Sequence, residues 1–123
     1  MPHSLYETGF EYIMKKALII GGTGLLGRGI ARELLREGWQ VSILSRGDRP
    51  LPGDLSACTR FTANRKQKDQ MHQVLQDKCF DCVVDCAAYT QADAQVALDV
   101  FAGRTAHYWF ISTDFVYAAD PAA

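Results

Sequence analysis

Apolar and polar positions along this chain alternate between two rhythms. Ala17-Leu18-Ile19-Ile20 is an unbroken apolar run, as expected of a strand buried on both faces. Leu26, Ile30 and Leu34 then recur at helical spacing, and Gly38 supplies a stop. Val41-Ser42-Ile43-Leu44 reads as a second strand ending at Ser45-Arg46-Gly47, followed by a Pro/Gly-bearing loop from Asp48 to Asp54. A short third strand is expected around Arg60 to Ala63. Met71, Val74, Leu75 and Lys78 predict the next helix, and Cys82 to Ala87 a fourth strand. Asp93 to Phe101 reads as a helix with Val96 and Val100 inward, and His107 to Ser112 as a fifth strand. Strands alternating with helices require a parallel sheet covered on both faces, because right-handed crossovers leave few other topologies. The expected architecture is a doubly wound α/β sheet of order 3-2-1-4-5, truncated after strand five.

The turn out of the first strand carries the chemistry. It reads Gly21-Gly22-Thr23-Gly24-Leu25-Leu26-Gly27, a G-x-x-G-x-x-G spacing set between a strand and a helix. Residues without side chains let the backbone approach a pyrophosphate, and the new helix points unpaired N–H groups at that anion. The strand before and the helix after are the context this fingerprint requires, which makes the sheet Rossmann-type and the ligand a nicotinamide dinucleotide. A tight turn with no ligand is the bland alternative. Arg28, Arg32 and Arg36 form one stripe of the helix, ordinarily a solvated face. Of the three, only Arg28 sits in the first turn, within reach of a phosphate.

Composition narrows the class. The 123 residues suit one domain, with 48% hydrophobic and 22% charged residues, ordinary values for a soluble globular protein. A net charge of −1 gives no general attraction to nucleic acid or an anionic membrane. No apolar run approaches the roughly 20 residues needed to span a bilayer, and the opening residues lack the basic-then-apolar layout expected of a secretory signal. A cytoplasmic protein is expected. Met14-Lys15-Lys16-Ala17 looks like a natural start, so residues 1–13 are expected to be an upstream extension. That leaves 14–117 as the dinucleotide-binding domain and 118–123 as a tail. Cys79, Cys82 and Cys86 show a C-x-x-C-x-x-x-C spacing, with Cys58 apart from them. On a strand, residues 82 and 86 share a face and 79 does not, and no histidine is near. Packed, reduced thiols are the better reading, and no metal is expected.

Three segments in order resemble one family. They are Gly21 to Gly27, Asp81-Cys82-Val83-Val84-Asp85-Cys86-Ala87-Ala88-Tyr89-Thr90, and Phe110-Ile111-Ser112-Thr113-Asp114-Phe115-Val116-Tyr117. The pattern is similar to extended or atypical short-chain dehydrogenases/reductases, the NAD-dependent epimerase/dehydratase-like proteins. The resemblance implies a catalytic hydroxyl at Thr113 and cofactor contacts from Ala87, Ala88 and Tyr89. It also implies that Asn64 stands where the family often has an aspartate near the adenine. Ala-Ala-Tyr-Thr and Ile-Ser-Thr-Asp are similar to sugar-nucleotide reductases that make deoxysugars. The family's chemistry needs a Tyr-x-x-x-Lys pair downstream of strand five. Tyr117 has no lysine four residues on, and position 121 is proline. Phe115 replaces the second acid of the family's dehydratases beside Asp114, which argues against dehydration.

Cofactor choice is read at the end of the second strand. An acidic residue there bonds a ribose 2′-hydroxyl, whereas an arginine accommodates a 2′-phosphate. Ser45-Arg46 has no carboxylate until Asp48, so NADP is preferred over NAD, with Arg28 as a second positive charge. For Arg46 the bland alternative is a solvated loop residue, and for Thr113 a hydroxyl that satisfies strand-end backbone. Two functions stand side by side. One is the nucleotide-binding part of an oxidoreductase or epimerase acting on a carbonyl or sugar-nucleotide substrate, inactive without the missing pair. The other is a non-catalytic dinucleotide-binding module or sensor. An RNA-associated relative is a weaker third, disfavoured by the charge. Ending after Tyr117 would leave the fifth strand, with Tyr108, Trp109, Phe110 and Ile111, as an open edge. Self-association through that edge is expected.

Overall fold

The computed structural model describes residues 14–21, 24–47, 50–111 and 116–119. Six strands form one sheet: β1 (Lys16–Ile20), β2 (Gln40–Ser45), β3 (Thr59–Thr62), β4 (Phe80–Asp85), β5 (Thr105–Ile111) and β6 (Val116–Ala119). Their order is β3-β2-β1-β4-β5-β6. The first five are parallel and follow the expected 3-2-1-4-5 arrangement. Three helices intervene: α1 (Leu25–Arg36), α2 (Lys68–Leu75) and α3 (Gln91–Phe101). A one-turn 3-10 helix at Gly53–Leu55 follows β2.

The central strands are where burial is complete. Ala17, Leu18 and Ile19 of β1 are fully buried, and Val41 to Leu44 of β2 nearly so, as expected of strands covered on both faces. Side chains alternate between two cores. Leu18, Ile20, Leu44, Val83, Tyr108 and Phe110 face α2 and α3 and pack with Met71, Leu75, Ala97, Val100 and Phe101. Ile19, Val41, Ile43 and Val84 face α1, packing with Ala31, Leu55 and Cys58. Val100 points inward as expected, while Val96 only packs against the core from its rim.

Two expectations need correction, the open edge at the fifth strand and the extent of the tail. The fifth strand is not an edge, because β6 pairs with it antiparallel, from Ile111↔Val116 to Tyr108↔Ala119. The reason is chain length: a parallel pair needs a crossover of a dozen or more residues, whereas four positions separate β5 from β6 and suit a hairpin. Residues 118 and 119 therefore lie in the sheet rather than in a tail, and the self-association expectation loses its open-strand template. The two faces are also covered unequally among the described residues. The helices α2 and α3 close one face, whereas α1 and the 3-10 turn cover the other over β1 and β2. There Trp109 stays 39% exposed, and Cys82, Cys86 and Ile111 only half-buried.

Candidate functional site

A cleft of about 380 Å³ opens at the carboxyl ends of β1 to β4. It sits where the strand order reverses between β1 and β4, the place where open α/β sheets take ligands. Its walls are Ile20 and Gly21, Leu44 to Gly47, Arg60, Ala63 to Lys66, Ala87 and Tyr89, with Gly24 at the start of α1.

Two glycines here do different jobs. Gly21 has φ +79, and a Cβ on it would meet the Ala87 Cβ at 2.9 Å. The fold itself therefore demands glycine at 21, packed against the turn after β4. Gly24 is the N-cap of α1 in extended backbone, φ −79 and ψ 174, with no side-chain cap. Among the described residues, a Cβ there would find nothing nearer than the Gly21 carbonyl oxygen at 3.9 Å. Among those residues nothing fills that space, and Gly24 lines the cleft. Helix α1 also has no acidic residue in its first turn, so its N-terminal N–H groups retain their pull on an anion.

Opposite the glycines, a buried ionic network fixes the cleft wall. Asp85 is fully buried at the end of β4. Its carboxylate accepts from Arg65 Nη1, from Tyr108 Oη at 2.7 Å and from the Ala87 N–H at 3.0 Å. Arg65, 7% exposed, also donates through Nη2 to the Asp93 carbonyl at 2.6 Å. Asp93 in turn accepts from Lys66 Nζ at 2.8 Å and from the Tyr89 N–H at 3.0 Å. With Thr90 it forms a capping box at the start of α3. The turn of residues 87–90 is thus held from both sides, by Asp85 and by Asp93.

Electrostatics follow from this arrangement. Burial works against the Arg65 charge, but Asp85 outweighs it and holds the guanidinium pKa above its ordinary value. Burial, and then Asp85, push the Tyr108 phenol up, so it stays a neutral donor. Burial also works to raise the Asp93 carboxyl, yet Lys66 and the Tyr89 N–H together bring it below the usual range. Burial lifts the Cys86 thiol to about 11, with Asp85 adding to the effect. Burial likewise raises Cys58 and Cys82. Those three thiols stay protonated at neutral pH, poor nucleophiles and poor metal ligands.

Of the residues picked from the sequence, Gly21, Gly24, Arg46, Asn64, Ala87 and Tyr89 line this one cleft. Asn64 uses its Oδ1 to accept the Lys66 N–H at 2.9 Å, which leaves its amide nitrogen as the group available to a ligand. Ala88 packs toward the α2–α3 core. Gly27 is buried within α1, where the third glycine of such a turn allows close helix–strand packing. Leu25 and Leu26, 86% and 49% exposed, line a separate apolar groove along α1. Only their backbone N–H groups lie at the helix start. Arg28 is not part of the cleft wall, and its guanidinium lies 3.9 Å from Asp54. That carboxylate, on the 3-10 turn, is shared with Arg32 at 2.8 Å. Gly22, Thr23 and Thr113 lie outside the described residues.

Sequence reasoning missed Arg60, Arg65, Lys66, Asp85, Asp93 and Tyr108. Two signals were present. A carboxylate closing the apolar run Val83-Val84-Asp85 calls for a buried cation, and Thr90-x-x-Asp93 before an apolar stretch is a capping-box spacing.

Residues 17–122 match the model of the NAD dependent epimerase/dehydratase family. The chain belongs to that family. A curated relative, the chloroplast stem-loop binding protein of 41 kDa b from Arabidopsis thaliana, is 30% identical over 115 residues. That match takes in 84% of this chain and 30% of the relative. Among solved structures, a candidate epimerase from Burkholderia cenocepacia superposes with TM-score 0.71 at 22% identity, covering 81% of this chain and 38% of that one. The Bordetella bronchiseptica enzyme WbmH, solved with NAD+, gives 0.60 at 20% identity over 75% and 36%. A short-chain dehydrogenase/reductase from Burkholderia multivorans with bound NADP gives 0.61 at 18% identity over 76% and 55%. These structures share the fold. The chain spans about a third of the length of the first relatives it matches. Among the described residues no helix is long and apolar enough to cross a membrane.

Proposed function

We propose that this epimerase/dehydratase-family domain holds a nicotinamide dinucleotide in the β1–β4 cleft. It would be the cofactor-binding part of an oxidoreductase or epimerase for a carbonyl or sugar-nucleotide substrate. The observation that carries this reading is Gly24. Among the described residues, neither backbone strain nor packing calls for a glycine there, yet it caps a helix with no side-chain cap at the cleft. That is the cradle a pyrophosphate fills. Gly21, Gly24 and the N–H groups that open α1 would hold the pyrophosphate. Asn64 would meet the adenine through its amide nitrogen, and the clamped turn at Ala87 and Tyr89 would line the far side. A bound nicotinamide ring supplies hydride transfer. This chain's described residues bind and orient it. Arg46, at the end of β2, favours the 2′-phosphate of NADP over the free hydroxyl of NAD.

The Arabidopsis relative's description supports a second reading, stem-loop binding. The net charge of −1 weighs against it, because phosphate contacts need clustered cations.

The test is Gly24→Val. The extended backbone at 24 accepts a β-branched residue, so the variant should still fold, with the modest loss of stability that a valine N-cap brings, while losing NADP binding by calorimetry. Unchanged affinity in a folded Gly24→Val chain overturns the site.

A further inference from the structure

Arg60 was invisible as a site residue because it sits inside a strand. Its neighbours change that. Thr62 and Arg60 of β3 pair with Ser45 and Ile43 of β2, so all four side chains share a face. The Arg60 side chain runs forward along that face to the cleft, where Nη2 donates to Ser45 Oγ at 3.0 Å. Its Nε is buried without a hydrogen-bond partner.

Other cations around the cleft are already matched. Arg65 is paired with Asp85, and Lys66 with Asp93. Arg28, Arg32 and Arg36 each face an acid on the outer side of α1. Among the described residues, Arg46 and Arg60 have no carboxylate partner, and both line the cleft beside Ser45. Gly47 completes the corner with φ +87, and a Cβ there would meet Thr62 Cγ2 at 2.8 Å. The loop after β2 is therefore tucked against β3, which brings Arg46 and Arg60 to one corner.

We infer that Arg60 is a second specificity-determining residue, forming with Arg46 and Ser45 a subsite for a phosphate monoester dianion on the adenosine ribose. Arg60 donates to a lone pair of Ser45 Oγ, which leaves the serine hydrogen free to be donated to a ligand. Arg46, Arg60 and Ser45 thus line the same corner of the cleft, where an NAD-reading site would place a carboxylate. The inference rests on the dinucleotide reading above.

Calorimetry on the 123-residue chain tests it with NADP, NAD, adenosine 2′,5′-bisphosphate and its 3′,5′ isomer. Arg60→Met should weaken NADP and the 2′,5′-bisphosphate about tenfold and leave NAD unchanged. Arg60→Lys should recover part of the loss, and Ser45→Ala should fall between. A purely structural latch between β2 and β3 would lower the unfolding temperature and weaken NAD and NADP alike, which overturns the role. So does equal binding of the two bisphosphate isomers. If the parent chain favours NADP but Arg60→Met does not change that preference, Arg60 is excluded while the NADP reading stands. If the parent chain binds neither dinucleotide, the underlying reading fails and this one with it.

Discussion

At the scale of single residues, the cleft depends on charges the core would otherwise exclude. Asp85 is fully buried and rests on Arg65, Tyr108 and the Ala87 N–H. Replacing a buried ion pair by apolar groups is often harmless, but removing one partner strands the other charge. Arg65→Met should therefore destabilise the chain by about 3–5 kcal/mol. The double variant Arg65→Met with Asp85→Leu should recover a large part of that loss. Denaturant unfolding of the single and double variants measures both. Equal losses in the two would mean that packing of the arginine stem, rather than its charge, carries the effect. The same network explains what was legible in sequence at this scale. Glycine spacing is local, and Gly21 and Gly24 were readable from a seven-residue window. The Arg65–Asp85 contact joins positions 20 apart in sequence, and Tyr108–Asp85 joins positions 23 apart. No local window pairs them.

At the scale of elements, α3 starts with the most complete helix terminus among the described residues. Thr90 Oγ1 accepts the Asp93 N–H at 3.1 Å, and Asp93 accepts back from the Thr90 N–H at 3.3 Å. Lys66 from the loop after β3 adds the ion pair. The folded-state pKa of Asp93 is depressed, so in the window below its ordinary value the unfolded chain binds the extra proton. Stability from this group is full above the usual carboxylate range and is lost as pH falls through its lowered folded value. Asp93→Asn should therefore flatten the acid limb of stability against pH, as read by urea unfolding between neutrality and strong acid. An unchanged acid limb would place the acid sensitivity elsewhere. Element-level legibility tracked burial. The strands β1, β2 and β4 announced themselves by apolar runs. Strand β3 signalled weakly because it lies at the sheet edge, with exposed Thr59 and Thr62. The second half of strand β6, Ala118 and Ala119, was read as tail, because its pairing is dictated by a short connection rather than by its own pattern.

At the scale of the whole molecule, the cleft gathers backbone from Ile20 to Tyr89. Its walls are therefore the ends of four strands rather than one mobile loop. The core behind them is shared: Tyr108 of β5 bonds Asp85 of β4, and its ring lies 5.5 Å from that of Phe101 in α3. A ligand that binds only the folded chain stabilises it by mass action, by about 2.7 kcal/mol at a hundred times its Kd. For a domain of this size that is an upward shift in unfolding temperature of roughly 5 to 15 °C. Because Asp85 and Asp93 couple the cleft wall to β5 and α3, the added protection should not stay local. Hydrogen exchange with and without saturating NADP should slow not only near Gly21, Ser45 and Ala87 but also across Thr105–Ile111 and Gln91–Phe101, which do not line the cleft. Gly24→Val should abolish the slowing in both groups together. Protection confined to the cleft turns would mean that β5 and α3 open by routes the ligand does not control, and that the buried network does not transmit binding through the sheet.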